Sequence, residues 1–326
     1  MNEVKRHTVV ADEEGMRLDR WFKVHFPQVT FAYLNKLTRT GQVRVGTARA
    51  KTNTRLKSGD EIRVPPLAFD KRPADTPKAD VKPLTREERR LFDSMVIHED
   101  KDIFILNKPS GFAVQGGTKT HHHLDGLLMG LGKELGERPL LVHRLDRDTS
   151  GVIVIAKRRA VAASLGKLFA TRNVKKTYWA VVKGVPKPQQ GRIDVPLIKA
   201  RVLEGDRMRA SREGEEEDEQ HAVTQYAVID KAGQVASWLS LQPMTGRQHQ
   251  LRAHAAHIGT PIFGDNKYGG DEGLPEGVTN RLHLHARRIV FPHPRGGTVD
   301  ISAPLPEHML ATFEMLGFDA TRYDQD

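Results

Sequence analysis

The segment with the greatest potential for chemistry is residues 143–151, His-Arg-Leu-Asp-Arg-Asp-Thr-Ser-Gly. It places two carboxylates, Asp146 and Asp148, among cations and directly before the apolar run 152–155. That run predicts a short buried strand, so the preceding loop should be anchored against a core and hold its side chains in place. An unpaired buried carboxylate costs several kcal/mol, and a fixed Arg or Lys is its usual partner. Asp146 is therefore the first candidate for chemistry.

Two other interpretations of this loop have to be weighed. Asp, Thr, Ser and Gly often serve only in turns and caps, which suits residues 148–151 and favours a structural role for Asp148, while Asp146 is left open between the two roles. Asp-Thr-Ser-Gly is also similar to the aspartic protease motif, in which two carboxylates share a proton. The chain has no second Asp-Thr-Gly or Asp-Ser-Gly. A protease would therefore need a symmetric dimer, and we disfavour that hypothesis.

Three further clusters accompany this loop: Lys-Lys-Thr-Tyr at 175–178, Thr-Gly-Arg-Gln-His-Gln-Leu-Arg-Ala-His at 245–254, and Leu-His-Ala at 284–286. If residues 249–258 form a helix, Arg252 shares a face with inward-facing residues. A cation held inward requires an anion.

The histidines of the chain could in principle bind zinc. For the three at 249, 254 and 257 we favour hydrogen-bonded packing, because no nearby carboxylate completes a familiar metal motif. For the three consecutive histidines at 121–123 we favour an exposed loop. The sequence therefore predicts no metal site.

The elements that would position these groups fall into several segments. Residues 1–15 are expected to be an extension, and residues 16–66 a compact helix-helix-strand module. In that module Leu18, Trp21 and Phe22 have helical spacing, and a second helix should begin after Thr30.

A charged, proline-containing linker is predicted over residues 67–90 and a large domain over residues 91–326. Strand-like runs follow one another in this domain with few helices, which predicts an α+β fold around a mainly antiparallel sheet. The expected strands are 103–106, 152–155, 178–182, 223–229 and 238–241, and one amphipathic helix is expected around 161–169. The acidic segment 203–220 is expected to be a mobile loop between strands.

Composition narrows the class of partner. The chain has 51 Lys and Arg against 41 Asp and Glu, a formal net charge of +10, and no Cys. Such a surface favours a polyanionic partner such as nucleic acid. No run approaches the ~20 apolar residues that span a bilayer, and the charged start lacks the apolar core of a secretion signal. We therefore expect a cytoplasmic protein without a membrane partner, and a monomer.

These clusters closely resemble motifs of the RluA family of pseudouridine synthases, and the resemblance covers nearly the whole chain. The matching segments are residues 143–151, 176–178, 246–252 and 264–269. Residues 16–66 resemble an S4 RNA-binding module, and Val-Gln-Gly-Gly at 114–117 resembles the subgroup that modifies 23S ribosomal RNA. The resemblance implies a pseudouridine synthase domain that isomerises uridine in RNA, preceded by an S4 domain.

It also implies roles for individual residues. Asp146 corresponds to the family nucleophile, and Tyr178 to the tyrosine that stacks on the target base and helps to remove a proton. Arg252 corresponds to the arginine that pairs with the nucleophile, and an opposite charge within ~4–6 Å keeps a carboxylate ionised. No cofactor or metal is required. The residues do not distinguish attack at C6 of the base from attack at C1′ of the sugar.

The same resemblance predicts RNA contacts. Arg144 should fill the space left by the flipped base. In the catalytic domain Lys157, Arg158, Lys175 and Lys176 are expected to hold phosphates, and in the S4 module the corresponding residues are Arg39, Arg44 and Lys51. A different class remains as the alternative, an RNA-binding ribosome-assembly factor in which catalysis is secondary. The complete set of Asp146, Tyr178 and Arg252 argues against it.

Overall fold

The computed structural model describes residues 4–67, 82–116, 122–171, 173–202, 205–212, 214–215 and 219–323. The chain divides into two compact units, residues 1–80 and 81–326. Within the described stretches, every helix is too short or too polar to cross a membrane.

The N-terminal unit packs two helices against a small antiparallel sheet of order β1-β4-β2-β3. Its elements are β1 (Lys5–Thr8), α1 (Leu18–His25), α2 (Phe31–Arg39), β2 (Arg44–Val45), β3 (Ala48–Arg49) and β4 (Glu61–Val64). Both predicted helices are confirmed. The Thr30 hydroxyl accepts a hydrogen bond from the Tyr33 N–H at 3.1 Å, which caps α2 where the sequence places its start.

The predicted extension over residues 1–15 is wrong for its described part. Strand β1 pairs with β4 along its whole length, from Lys5 opposite Val64 to Thr8 opposite Glu61. Val9 continues into the core and is 2% exposed. The prediction missed this strand because Lys-Arg-His-Thr has no apolar alternation. Residues 5–8 therefore form an edge strand of the module.

The second unit begins earlier than residue 91. Helix α3 (Arg86–Met95) starts with a capping box, in which Thr85 and Glu88 each accept a backbone N–H from the other. The predicted linker 67–90 therefore extends too far, because its last five residues belong to a helix. Most of that linker, residues 68–81, lies outside the described residues.

The large sheet carries the unit. Its strands are β5 (Val96–Glu99), β6 (Ile103–Lys108), β7 (Leu140–Leu141), β8 (Ser150–Ala156), β9 (Lys175–Lys183), β10 (Gln190–Asp194), β13 (Val223–Ala232), β14 (Ala236–Pro243), β15 (Leu284–Pro292) and β16 (Thr298–Ser302). The order is β10-β13-β14-β9-β15-β8-β6-β5, with β16 on β15 and β7 on β8. The predicted α+β fold is confirmed, and all five expected strands are present.

Among the described strands of this sheet one pairing is parallel, the short contact of β8 with β15. The backbones approach closely there, since a Cβ on Gly151 would lie 2.3 Å from the Ala286 carbonyl oxygen, and Gly151 has a φ of +109°. Glycine is therefore required at this junction. The loop with Asp146 leads directly into it.

The remaining elements are the helices α4 (Leu124–Leu135), α5 (Arg159–Ala170), α6 (Gln250–His257) and α7 (Glu307–Leu316), and the hairpin β11 (Leu197–Val202) with β12 (Gly205–Ala210). This hairpin corrects the prediction of a mobile loop over 203–220, because residues 205–210 form a strand paired with β11. Of the acidic run, residues 216–218 lie outside the described residues. Glu215 forms an ion pair with Arg209, with one contact at 2.7 Å.

Candidate active site

A buried lysine, Lys108, fixes the loop that carries Asp146. Lys108, which is 0% exposed, donates from Nζ to the carbonyl oxygens of Pro109, Phe112 and Arg147 at 2.9, 2.8 and 2.9 Å. The Ser110 hydroxyl donates to the Asp148 carbonyl oxygen at 2.8 Å. These bonds join the turn after β6 to residues 147 and 148, so the loop has one defined position.

Sequence reasoning missed this role of Lys108, although it noted the turn that contains it. The available signal was a lysine at the end of a strand that begins with four apolar residues, Ile-Phe-Ile-Leu-Asn-Lys. Burial lowers the pKa of Lys108 to about 7, and the nearby carboxylates of Asp148 and Asp146 act in the opposite direction.

Asp146 lies in the wall of a cleft of ≈ 980 Å³. Its side chain is 29% exposed, so it is held at the surface of the cleft rather than buried. Tyr178 and Arg252 line the same cleft. The structure therefore brings together the three residues for which the sequence predicts chemistry.

Arg252 has a stronger partner than the predicted one. Its Nε and Nη2 donate to the two carboxylate oxygens of Asp265 at 2.7 and 2.6 Å, and both side chains are buried. Its Nη1 lies 4.0 Å from Asp146 Oδ2. The predicted pairing with Asp146 is therefore the longer contact of an arginine already locked by Asp265. Sequence reasoning quoted residues 264–269 as a motif without assigning Asp265 this function.

The turn before α6 is organised by Gln250. Its side-chain oxygen accepts from the Thr245 hydroxyl at 2.7 Å and the Arg247 N–H at 3.1 Å. Its amide nitrogen donates to the Val223 carbonyl at 2.9 Å and the Thr224 hydroxyl at 3.0 Å. The predicted helix 249–258 is confirmed within one residue at each end, and its first turn is rigid.

Tyr178 lies on β9, opposite Leu241 of β14 and Ala286 of β15. Burial raises the pKa of Tyr178, and the neighbouring Asp146 carboxylate raises it further. The phenol is thus uncharged at neutral pH, and Tyr178 contributes to the lining of the cleft.

The cations predicted to contact RNA are distributed over both units. Arg144 lines the cleft and is exposed, with Nη1 donating to the Gln115 side-chain oxygen at 3.0 Å. Lys176 also lines it, 5.9 Å from the centre of the Phe169 ring, and burial lowers the pKa of Lys176. Lys175 is exposed on the same strand but is not among the residues that line the cleft.

The other predicted contacts lie elsewhere. Arg39, Arg44 and Lys51 are all exposed on the N-terminal unit. Lys157 and Arg158 are already engaged by the carboxylates of Glu99 and Asp102 respectively. These two cations are therefore part of a structural charge cluster, which makes them poor candidates for phosphate binding.

Of the three histidines predicted to be packed, His254 is buried and His249 is partly buried, whereas His257 is exposed, so the prediction is wrong for His257. His254 bonds the Thr224 hydroxyl at 2.9 Å and donates to the Val195 carbonyl at 3.0 Å. His123 corrects the expected exposed loop, because its Nδ1 caps α4 by accepting the Gly126 N–H at 2.9 Å. His121 lies outside the described residues. The described residues contain no group of three or more His, Asp or Glu able to hold a metal ion.

Comparison with known proteins agrees with this geometry. The family model for RNA pseudouridylate synthase matches residues 102–257. Ribosomal large subunit pseudouridine synthase C from Escherichia coli (strain K12) is 36% identical over 322 residues, which cover 96% of this chain and 97% of that protein. The protein of the same name from Haemophilus influenzae is 34% identical over 318 residues, 96% of this chain and 95% of that protein.

A solved structure is similar as well. Human RNA pseudouridylate synthase domain containing 4 aligns with a TM-score of 0.60 and 30% identity, over 72% of this chain and 98% of that chain. Since relatives with more than 30% identity match almost the entire chain, the chain belongs to the RluA family of RNA pseudouridine synthases, which are isomerases.

Proposed function

We propose that this enzyme converts specific uridines of 23S ribosomal RNA to pseudouridine, with Asp146 as the nucleophile and without a cofactor. The observation that carries the proposal is the position of Asp146 in the cleft, 4.0 Å from an arginine whose geometry is fixed by a second, buried carboxylate. The substrate class is taken from the similar large-subunit enzymes.

The charges of the site support a nucleophilic Asp146. Asp265 already neutralises Arg252 through two short hydrogen bonds. Asp146 therefore lies beside a cation without forming a bidentate ion pair with it, and its oxygens stay accessible in the cleft. A nucleophile needs this combination of charge stabilisation and access.

The reaction itself requires that the base be detached and rejoined through carbon. Attack of Asp146 on C6 of the uracil or on C1′ of the ribose would each provide a covalent intermediate, and covalent catalysis divides one difficult step into two easier ones. Tyr178 is proposed to stack on the base during this rearrangement. Arg144 is proposed to occupy the space that the flipped nucleotide leaves in the RNA.

We also propose that the N-terminal unit is an S4 RNA-binding domain. Arg39 at the end of α2, Arg44 on β2 and Lys51 after β3 are all exposed on this one small module. Phosphate contacts of this kind contribute affinity that does not depend on sequence and falls with salt. A cytoplasmic location and a monomeric state fit this function and stay predictions.

The experiment that tests the catalytic proposal maps pseudouridines in 23S rRNA from cells that lack the protein. The same cells are then complemented with the wild type, Asp146→Asn or Asp148→Asn. We expect the missing sites to return with wild type and Asp148→Asn, because the Asp148 side chain is exposed and Asp148 holds the loop through its carbonyl oxygen, which the substitution keeps. An unchanged map in the deletion strain would point to another RNA, or to a binding factor.

The S4 proposal is tested in the full-length chain by Arg39→Gln, Arg44→Gln and Lys51→Gln combined. We expect weaker rRNA binding, a log-log salt slope shallower by up to about 3, and an unchanged single-turnover rate at saturation. The matched control changes three other exposed cations of the unit, Arg20, Lys23 and Lys57, to Gln. Equal affinity of the test variant and the wild type would contradict an S4 role.

A further inference from the structure

One backbone position next to Arg252 is strained. Among the described residues, His249 alone has a positive φ without being a glycine, with φ +50° and ψ +20°. A residue with a Cβ normally avoids this region, and such strain persists where the surrounding structure needs it. His249 also occupies the N-cap position of α6 and makes no capping hydrogen bond with its side chain. The strain therefore does not serve the helix.

The imidazole is turned instead towards the cleft and Tyr268. His249 lines the cleft with Asp146, and its Nδ1 lies 3.1 Å from the Tyr268 hydroxyl. Tyr268 is 5% exposed, and its ring lies 5.2 Å from the Arg252 guanidinium carbon. His249 is thus hydrogen-bonded to a buried tyrosine whose ring also lies beside Arg252.

The hydrogen bonds fix which ring nitrogen carries the proton. The Tyr268 oxygen accepts the Met208 N–H of β12 at 2.9 Å. Within the described part of the chain, the only acceptor for the phenolic hydrogen is His249 Nδ1. Burial raises the pKa of Tyr268 to about 12, which keeps that hydrogen in place. His249 is therefore the tautomer with Nδ1 as acceptor and Nε2–H as donor.

The surroundings of His249 favour the neutral imidazole that this assignment requires. Burial lowers the pKa of His249, and the neighbouring Arg252 and Lys267 lower it further, while Asp146 and Asp265 act in the opposite direction. A neutral imidazole with a fixed N–H suits a neutral acceptor better than a phosphate, for which the cleft already provides Lys176 and Arg144.

We propose that His249 binds a carbonyl oxygen of the target uracil through its Nε2–H, with Tyr268 as the residue that positions it. No bond to hydrogen is broken in this interaction. Negative charge develops on the uracil carbonyls whether the base leaves as an anion or is attacked at C6. A preorganised donor therefore stabilises the reacting base more than the ground state. His249 would thereby favour uracil over bases that place an amino group at the same position.

The inference rests on the proposed function. The test therefore uses an RNA in which the wild-type enzyme has first been shown to form pseudouridine, so that a wrong substrate is detected before the variants are compared. We expect His249→Gly to lower kcat by about 10²-fold with a small change in KM, the usual cost of one such donor. Glycine adopts positive φ without strain, so a purely conformational role for His249 predicts full activity instead. His249→Gln, which restores an N–H donor, should recover part of the rate.

Matched controls separate catalysis from stability. Tyr268→Phe should lower kcat, while Tyr226→Phe, which removes another buried hydroxyl hydrogen bond, to Pro188, should not. His257→Gln changes an exposed histidine at the other end of α6 and should match the wild type. The ¹⁵N shifts of His249 should report Nε2–H in the wild type and a mixture of tautomers in Tyr268→Phe.

Sulfur substitution in the RNA identifies the contact. Replacing O2 or O4 of the target uridine by sulfur weakens it as an acceptor, so one of the two analogues should slow the wild type and have no additional effect on His249→Gly. Equal slowing of both proteins by both analogues would overturn the proposal. So would a His249→Gly variant that loses RNA affinity and salt dependence at unchanged kcat, because that result assigns His249 to a phosphate.

Discussion

The second unit contains two buried ion-pair clusters that differ in what they leave exposed. In one, buried Asp102 is bound by Arg158 and Arg295, whose side chains reach in from the surface and are about half exposed. In the other, buried Arg252 is bound by buried Asp265, and partly exposed Asp146 lies beyond it in the cleft.

The signs of the charges explain the difference. The Asp102 cluster has one anion and two solvated cations, so its buried charge is fully compensated. The Arg252 cluster has one cation and two anions, and the second anion faces the cleft. Burial of a charged pair is therefore no indicator of function by itself. The informative feature is a further charge that lies beside the buried ion pair, is stabilised by it and still faces the cleft.

The largest expected effect separates the two carboxylates that contact Arg252. Asp146→Asn should reduce pseudouridine formation to background, because an amide is a far weaker nucleophile than a carboxylate. The free energy of unfolding should change by less than about 1 kcal/mol, since Asp146 is partly solvated and Arg252 keeps its bidentate partner. Single-turnover assays and urea unfolding measure both quantities. Retained activity would remove Asp146 from its proposed role.

The next effect tests the buried partner. Asp265→Asn should lower the free energy of unfolding by about 3–5 kcal/mol, because it leaves the Arg252 charge buried without compensation. It should also lower kcat, since Arg252 is no longer fixed beside Asp146. Asp300→Asn is the control, because it breaks the exposed ion pair of Asp300 with Arg288 and should cost about 0–1 kcal/mol. Equal free energies of unfolding for the two variants would contradict the expected contribution of the buried Asp265–Arg252 pair to stability.

The smallest effect is confined to stability. Asp102→Asn should cost roughly 1–3 kcal/mol and leave kcat unchanged, because neither Asp102 nor its arginines line the cleft. Hydrogen bonds from Arg295 and Arg158 lower the pKa of Asp102 to about 2. This stabilisation is therefore present above pH ~4 and is lost as the pH falls towards 2.

The difference in unfolding free energy between wild type and Asp102→Asn should shrink over that pH range in urea titrations. A difference that stays constant from pH 4 to pH 2 would contradict the role of the Asp102 charge. A large loss of kcat would make the two clusters functionally equivalent and remove the contrast between them.

Local pattern predicts part of this molecule and long-range contacts determine the rest. The apolar run before Ala156 predicts β8, and the spacing of Leu18, Trp21 and Phe22 predicts α1. Strand β1 escapes prediction because its partner is more than 50 residues away and its own sequence is polar.

The same division holds for the candidate site. Asp146 and Arg252 are found from charged motifs in the sequence and from family resemblance. The roles of Lys108 and Asp265 are not, because each depends on contacts that only the folded chain creates. A lysine at the end of a buried strand is visible in the sequence, but the three carbonyl oxygens that it binds are brought together only by the fold. His249 is similar, since its positive φ is a property of the turn that Gln250 organises.

The groups of the active site come from two successive parts of the chain, whose strands are joined in the sheet by the parallel contact between β8 and β15. Asp146 comes from the part of the chain before α5, whereas Tyr178 lies on β9 and Arg252 and Asp265 follow it. A break in the chain between α5 and β9 would therefore separate Asp146 from Tyr178, Arg252 and Asp265. Neither fragment could turn over alone, so activity from the mixed fragments would measure their reassembly, and the enzyme could serve as its own reporter for fragment complementation.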